Sequence, residues 1–160
     1  MKKVLSRAEL KREVEHLRAE GKRIAFTNGC FDILHVGHCQ YLREARKQGD
    51  LLILGLNSDA SVRAIKGPKR PLVPQQERAE IVASLEAVDY VTIFDESTPL
   101  ELIELFRPDV LVKGADWKEE DVVGGDAVRS WGGRVVLIPM TEGASTTNIV
   151  ERILQVYGKG

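Results

Sequence analysis

Five short apolar runs constrain the fold of this chain more than any other feature: Ile24–Phe26, Leu51–Leu56, Tyr90–Phe94, Val110–Val112 and Val135–Ile138. Each is continuous rather than alternating, the pattern of strands covered on both faces in a parallel sheet. Stretches with helical character separate them, near residues 38–48, 75–86, 98–106 and 120–131, and a last one runs from Ser145 to about Tyr157. Strand and helix in strict alternation predict a doubly wound α/β domain with a five-stranded parallel sheet and right-handed crossovers. Ahead of the first run, Ser6-Arg-Ala-Glu9 is a capping-box pattern followed by Leu10, Val14 and Leu17. It predicts a helix over 6–20 ended by Gly21, so that 1–21 form a helical extension and 22–160 the domain proper. That helix either covers an apolar edge or joins a homodimer interface.

The chain has 160 residues, 43% hydrophobic and 29% charged, with a net charge of -1, which suits one soluble globular domain. The balance of charge offers no general attraction to nucleic acid or to an anionic membrane. No apolar run approaches a membrane span and the charged N-terminus is not a signal peptide. Two cysteines without a secretion signal point to reduced thiols and a cytoplasmic location. After the first strand there is neither G-x-G-x-x-G nor G-x-x-x-x-G-K-[ST], which argues against a hydride-transfer dinucleotide site and a P-loop ATPase.

In such sheets ligands bind beyond the carboxyl ends of the strands. The segments predicted there are Thr27-Asn28, Asn57-Ser-Asp59, Lys113 to Trp117 and Thr141 to Thr147. Between the first strand and its helix lies Gly29-Cys-Phe-Asp-Ile-Leu-His35-Val-Gly-His38, which places two imidazoles on one face of a helix start. A helix N-terminus attracts anions, and Gly37 is expected to let one approach the backbone closely. Cys30 and Cys39 raise the question of zinc. His38 and Cys39 are adjacent, however, and adjacent helical residues diverge by about 100°, an awkward geometry for one tetrahedral ion. The loop Ile65-Lys-Gly-Pro-Lys-Arg-Pro71 carries Lys66, Lys69 and Arg70 and could close over phosphates. Asp32 has the wrong charge for phosphate and is expected to orient a neighbouring loop or imidazole. Arg78 is expected to pair with neighbours on its own helix, with a phosphate role as the alternative.

The G-x-F-D-x-x-H-x-G-H segment resembles the signature of the cytidylyltransferase-like nucleotidyltransferases, whose fold is Rossmann-like. The fuller Thr27-Asn-Gly-Cys-Phe-Asp-Ile-Leu-His-Val-Gly-His38 is similar to a narrower branch, the bacterial D-glycero-β-D-manno-heptose 1-phosphate adenylyltransferases. Asn57-Ser-Asp-Ala-Ser-Val, Lys66-Gly, Arg70-Pro71, Val112-Lys-Gly-Ala-Asp-Trp117 and Ser145-Thr-Thr-Asn-Ile149 extend the match over residues 22–155. The resemblance implies that His35, His38 and Lys66 are catalytic. It assigns Asn28, Gly29, Cys30 and Phe31 to the nucleotide, with Gly114 and Asp116 near the base or ribose. Ser145 is read as an N-cap and is assigned to the nucleotide site with Thr146 and Thr147, of which one or the other meets the β- and γ-phosphates. Thr27, Asn57, Asp59 and Arg70 are the weaker assignments, to the sugar phosphate, with the leaving pyrophosphate also open for Arg70. Trp117 either stacks on the ligand or covers an apolar edge.

The implied reaction joins AMP from ATP to heptose 1-phosphate and releases pyrophosphate, giving ADP-heptose for the lipopolysaccharide core. Its nucleophile is already an anion, so catalysis rests on alignment and charge dispersal, and Mg²⁺ is expected with the triphosphate rather than in a carboxylate cage. The expected partners are ATP and heptose 1-phosphate, with no nucleic acid and no membrane, in a homodimer. Relatives in many bacteria are fused to a sugar kinase, for which 21 preceding residues are too few, so a separate kinase is expected. The rival readings are a glycerol-3-phosphate cytidylyltransferase and a non-catalytic nucleotide-binding module. Met140, where the cytidylyl relative has an arginine, counts against the first, and the complete His35/His38/Lys66 set against the second. Pantetheine-phosphate adenylyltransferase usually lacks the first histidine.

Overall fold

The computed structural model describes residues 2–158. Its five strands are β1 (Ile24–Gly29), β2 (Leu51–Asn57), β3 (Tyr90–Phe94), β4 (Val110–Gly114) and β5 (Arg134–Ile138), all parallel in the order β3-β2-β1-β4-β5. The helices are α1 (Arg7–Ala19), α2 (Val36–Arg46), α3 (Asp59–Lys66), α4 (Gln75–Ala83), α5 (Leu100–Phe106), α6 (Gly125–Ser130) and α7 (Thr146–Tyr157). The continuous apolar runs are explained by two cores, one on each face of the sheet. Ile24, Phe26, Leu51 and Ile53 point to the face covered by Leu10 and Val14 of α1 and by Leu102, Ile103 and Phe106 of α5. Ala25, Leu52, Leu54 and Leu56 point to the opposite face, under Leu42 and Ala45 of α2 and Ala79 and Val82 of α4. The leading helix is thus packed into the first core, with Leu10 and Val14 almost fully buried.

Strand register is fixed at the amino-terminal edge of the sheet by three aspartates, each immediately preceding a strand. Asp109 donates its N–H to Ile24 O (2.9 Å) and accepts the Ile24 N–H on its carboxylate (2.8 Å). Asp50 makes the same reciprocal pair with Arg23, and Asp89 with Leu52. Each carboxylate satisfies a backbone N–H at the start of the neighbouring strand, where the ladder would otherwise leave it unpaired.

Three elements differ from the sequence reading. Helix α3 is not among the helices the sequence predicts; Ser58 caps it by accepting the Ser61 N–H at 3.1 Å. The expected helix over 120–131 is a single 3-10 turn, Glu119–Asp121, followed by the short α6. Gly124 separates them at φ +83°, a conformation other residues rarely hold, and a Cβ there would lie 2.6 Å from Ile103. The helix expected to reach residue 86 ends at Ala83, where Ser84 Oγ donates back to Glu80 O (2.8 Å).

The chain lays down β1, β2 and β3 outward in one direction, then returns to place β4 on the other side of β1. The direction of winding reverses between β1 and β4, where doubly wound sheets open a crevice. Among the described residues no helix is long and apolar enough to cross a membrane.

Replacing Asp109 by alanine strips the Ile24 N–H of its partner and should cost about 1–3 kcal/mol, the usual penalty for an orphaned buried donor. Urea unfolding measures the loss, and hydrogen exchange should accelerate first at Ile24; an unchanged unfolding midpoint would show that another group satisfies that donor.

Candidate active site

A cavity of about 680 Å³ opens over the carboxyl ends of the strands at the β1/β4 crevice. The histidine segment forms its floor. His35 is the N-cap of α2, and its Nδ1 accepts the Gly37 N–H at 3.1 Å. His38 turns back so that its Nδ1 accepts the His35 N–H at 3.3 Å. The two side chains therefore complete a capping box, and the rings stack with centroids 3.7 Å apart and 23° between planes. An imidazole that accepts at Nδ1 carries its proton on Nε2 when neutral. Burial pushes the His38 pKa down to about 4, with the nearness of His35 adding to the effect, and burial also lowers that of His35. At neutral pH the floor presents two neutral N–H donors, which the backbone holds in one tautomer.

Gly37 serves a purpose different from the one expected. The space a Cβ would fill is taken by His35 itself, 2.9 Å from its Cε1, and by Ala144 at 3.0 Å. The residue is buried, and its N–H is already given to His35. Gly37 makes room for the capping imidazole rather than for an anion. Gly29 has a similar function, since a Cβ there would lie 2.7 Å from the Phe31 ring. Phe31 adopts a left-handed φ of +47°, which folds its ring back toward His38, at a centroid distance of 5.0 Å.

The walls come from four other segments. Lys66 ends α3, exposed at the cavity edge, and Arg70 sits beside it, its guanidinium 3.5 Å from Asp32. Asp32 uses its carboxylate to accept the Leu72 N–H and the Val73 N–H (2.9 Å each), so it orients the loop that carries Arg70. Lys69 points to solvent. Ser145 caps α7 by accepting the Asn148 N–H at 2.9 Å, and Thr146 Oγ1 donates to Ile33 O at 3.3 Å, tying α7 to the histidine loop. Ser145, Thr146 and Thr147 all face the cavity, as do Asn28, Gly29, Cys30 and Asn57. Trp117 lines it while 44% exposed, with the Lys113 ammonium 5.5 Å from its ring centroid.

Four sequence-derived candidates lie off this wall. Thr27 is fully buried, with its hydroxyl 2.8 Å from the Tyr41 hydroxyl. Asp59 is engaged by Arg78 at 2.7 Å. Gly114 and Asp116 do not line the cavity: the place a Gly114 Cβ would occupy is flanked by Asp116 Oδ1 at 2.6 Å and Met140 Sδ at 2.7 Å, and Asp116 is exposed. Arg78 corrects an expectation: it does not pair along its helix but is completely buried beneath the rim. Its guanidinium donates to Val73 O (2.8 Å), Cys30 O (2.7 Å), Asn57 O (2.9 Å) and the Asp59 carboxylate. Lys113, Ser97 and Thr98 line the cavity and received no role from the sequence. The available signal for Lys113 was a charge ending an otherwise apolar strand.

Two consequences are measurable. Because the native fold holds His38 neutral, its contribution to stability is full above about pH 6.5, the ordinary imidazole value, and is lost as pH falls toward 4. The His38 ring resonance should stay flat from pH 8 to about 5, whereas a midpoint near 6.5 would mean that the ring is solvated. Arg78→Met leaves three carbonyls and Asp59 unpaired, and should cost about 3–5 kcal/mol in urea unfolding.

Comparison with known proteins agrees with this geometry. The chain is 60% identical over 158 residues to the Bifunctional protein HldE of Syntrophotalea carbinolica, and 61% identical over 142 residues to that of Geobacter sulfurreducens. The alignments cover 99% and 89% of this chain but only 32% and 29% of those proteins, so it spans about a third of their length. Among solved structures, the lipopolysaccharide core biosynthesis protein from Thermoplasma volcanium matches at a TM-score of 0.63 and 25% identity, over 78% of this chain and all of that one. Pantothenate synthetase from Thermus thermophilus matches in fold, at a TM-score of 0.64 and 17% identity, over 92% of this chain and 67% of that one. The Cytidylyltransferase-like family model covers residues 26–152, from the middle of β1 into α7, and the chain belongs to this family of nucleotidyltransferases.

Proposed function

We propose that the chain is an adenylyltransferase that moves AMP from ATP onto D-glycero-β-D-manno-heptose 1-phosphate, releasing pyrophosphate and forming ADP-heptose for lipopolysaccharide core synthesis. The observation that carries the chemistry is the stacked His35/His38 pair, each Nδ1 anchored on a backbone N–H, in a cavity that also holds Lys66 and the start of α7. The heptose assignment is supported by the run of matching segments from Thr27 to Ile149. Relatives named Bifunctional protein HldE and a lipopolysaccharide core biosynthesis protein support it further.

The reaction requires no deprotonation, since the acceptor phosphate is anionic at neutral pH. Its oxygen attacks the α-phosphorus in line while the bond to pyrophosphate breaks, and negative charge grows on the non-bridging oxygens. The Nε2–H groups of His35 and His38 donate to those oxygens. Being fixed beforehand by the capping box, they pay no reorganisation cost as the charge develops. Lys66, at the end of α3, neutralises charge on the phosphates, and Arg70 holds the sugar phosphate or the departing pyrophosphate. Thr146 and Thr147, at the amino-terminal end of α7, receive the β- and γ-phosphates. Among the described residues Asp32 is the one carboxylate on the cavity wall, and its oxygens already hold backbone N–H groups. The protein's own donor set therefore fits Mg²⁺ only as a companion of the triphosphate, where the ion would screen phosphate charge.

His38→Ala should reduce kcat by about 100-fold or more while changing ATP affinity little, because the donor acts mainly in the transition state. Unchanged turnover would remove His38 from the mechanism. The substrate reading is tested by pyrophosphate release with Mg²⁺, pairing ATP or CTP with heptose 1-phosphate or glycerol 3-phosphate. Turnover should occur only with ATP and the heptose. Turnover with CTP and glycerol 3-phosphate would replace the substrates, and no turnover in any pairing would leave a nucleotide-binding module.

A further inference from the structure

Two unmatched polar groups line the cavity at the β1/β4 crevice, one from each strand. The Asn28 Oδ1 atom is the one buried side-chain polar atom among the described residues that has no hydrogen-bond partner. On the neighbouring strand, Lys113 is half-buried, and its ammonium makes no hydrogen bond or ion pair among the described residues. Phe26 pairs with Leu111, which sets Asn28 and Lys113 at corresponding positions two residues further along, where both line the cavity. A buried acceptor and a half-buried cation, each costly to leave unmatched, thus line one cavity at the point where the winding reverses.

The other charges around Lys113 do not account for it. Asp116 is solvent-exposed and forms no ion pair with it, and Cys30 is an uncharged thiol whose pKa burial pushes up. Trp117 offers its ring face at 5.5 Å, a weak contact that positions the ammonium without neutralising it. Met140 supplies only a thioether on this side of the cavity. The Asp32 carboxylate is committed to Arg70 and to two backbone N–H groups. Lys66 and Arg70 bring further positive charge to the same cavity.

We propose that Lys113 is a phosphate-binding residue of the reaction centre. With a substrate phosphoryl group bound, its ammonium bridges that group and the Asn28 Oδ1, which fixes the lysine in place. The assignment rests on the proposed nucleotidyl transfer for the identity of the phosphoryl group. It supplies, from β4, the cation that Met140 does not provide from the segment after β5. Burial lowers the Lys113 pKa in the ligand-free protein, so an incoming anion offsets the penalty that burial places on the charged form.

The test compares the wild type with Lys113→Met and Lys113→Arg, using calorimetric titration with ATP, pyrophosphate and the heptose 1-phosphate, and thermal unfolding with and without each. Removing an unpaired buried charge should leave the Tm of the ligand-free Lys113→Met protein unchanged or raised. Affinity for at least one phosphoryl ligand should fall by about tenfold or more, as expected when a charge-assisted contact is lost, and arginine should recover most of it. A loss with ATP and pyrophosphate places Lys113 on the nucleotide, and one confined to the sugar phosphate places it on the acceptor. Equal affinity of Lys113→Met and wild type for all three ligands would overturn the assignment, as would a lowered Tm with affinity intact. A wild-type protein that binds ATP yet forms no sugar nucleotide would overturn the proposed reaction while leaving Lys113 on a phosphate.

Discussion

The rim of this sheet depends on one buried guanidinium. Arg78 sends hydrogen bonds to the carbonyls of Cys30, Asn57 and Val73 and to the carboxylate of Asp59. These belong to the loop after β1, the end of β2, the segment before α4 and the first turn of α3. The guanidinium is planar with its donors in a fixed fork, so the segments it bonds cannot drift apart independently. The same loops carry Cys30 and Phe31, Lys66 and Arg70 into the cavity, and Asp32 repeats the device from the other side by holding Leu72 and Val73. A buried charge paired in this way adds little net stability over an apolar core, yet removing it is costly because its partners are stranded. What it supplies is position.

Electrostatically, the floor and the walls are of different kinds. The floor is neutral: two imidazoles with depressed pKa values, their tautomers fixed by the backbone, offering N–H donors. The walls are cationic, with Lys66, Arg70 and Lys113 facing a cavity whose single carboxylate among the described residues, Asp32, is already engaged. In the proposed transfer, neutral donors near the centre of a charge-spreading transition state do not bind the ground-state anion so tightly that the barrier rises, while peripheral cations hold the polyanion in line. Gly29 and Gly37 are required for this arrangement because their missing side chains make room for the Phe31 ring and the His35 ring.

Most of the fold was legible in the sequence because burial on both faces leaves a plain mark: all five strands were read within a few residues, as were the terminal helices. The short α3 was not, because its eight residues make only about two turns between the end of β2 and a Gly/Pro-containing loop, too short a run to stand out from a connection. The helix expected over 120–131 is broken at Gly124, which has a positive φ and leaves no room for a Cβ beside Ile103, neither of which a local pattern reveals. In the site, the histidines, Lys66 and the Ser145–Thr147 segment converge on one cavity as the strand ends implied. Arg78 was misjudged because its partners lie 5 to 48 positions away in sequence, and helix spacing offered it nearer ones. Thr27 and Asp59 have the right chemistry on the right rim but spend it on Tyr41 and Arg78.

The central claim is that His35 and His38 stabilise a direct displacement and never carry the nucleotide themselves. The stereochemical course at the α-phosphorus tests it most directly, using ATP made chiral there by a single sulfur substitution and analysing the configuration of the sugar nucleotide formed. A single in-line attack by the sugar phosphate predicts inversion. Retention would mean two successive displacements through a nucleotidyl-enzyme intermediate, and would contradict the account.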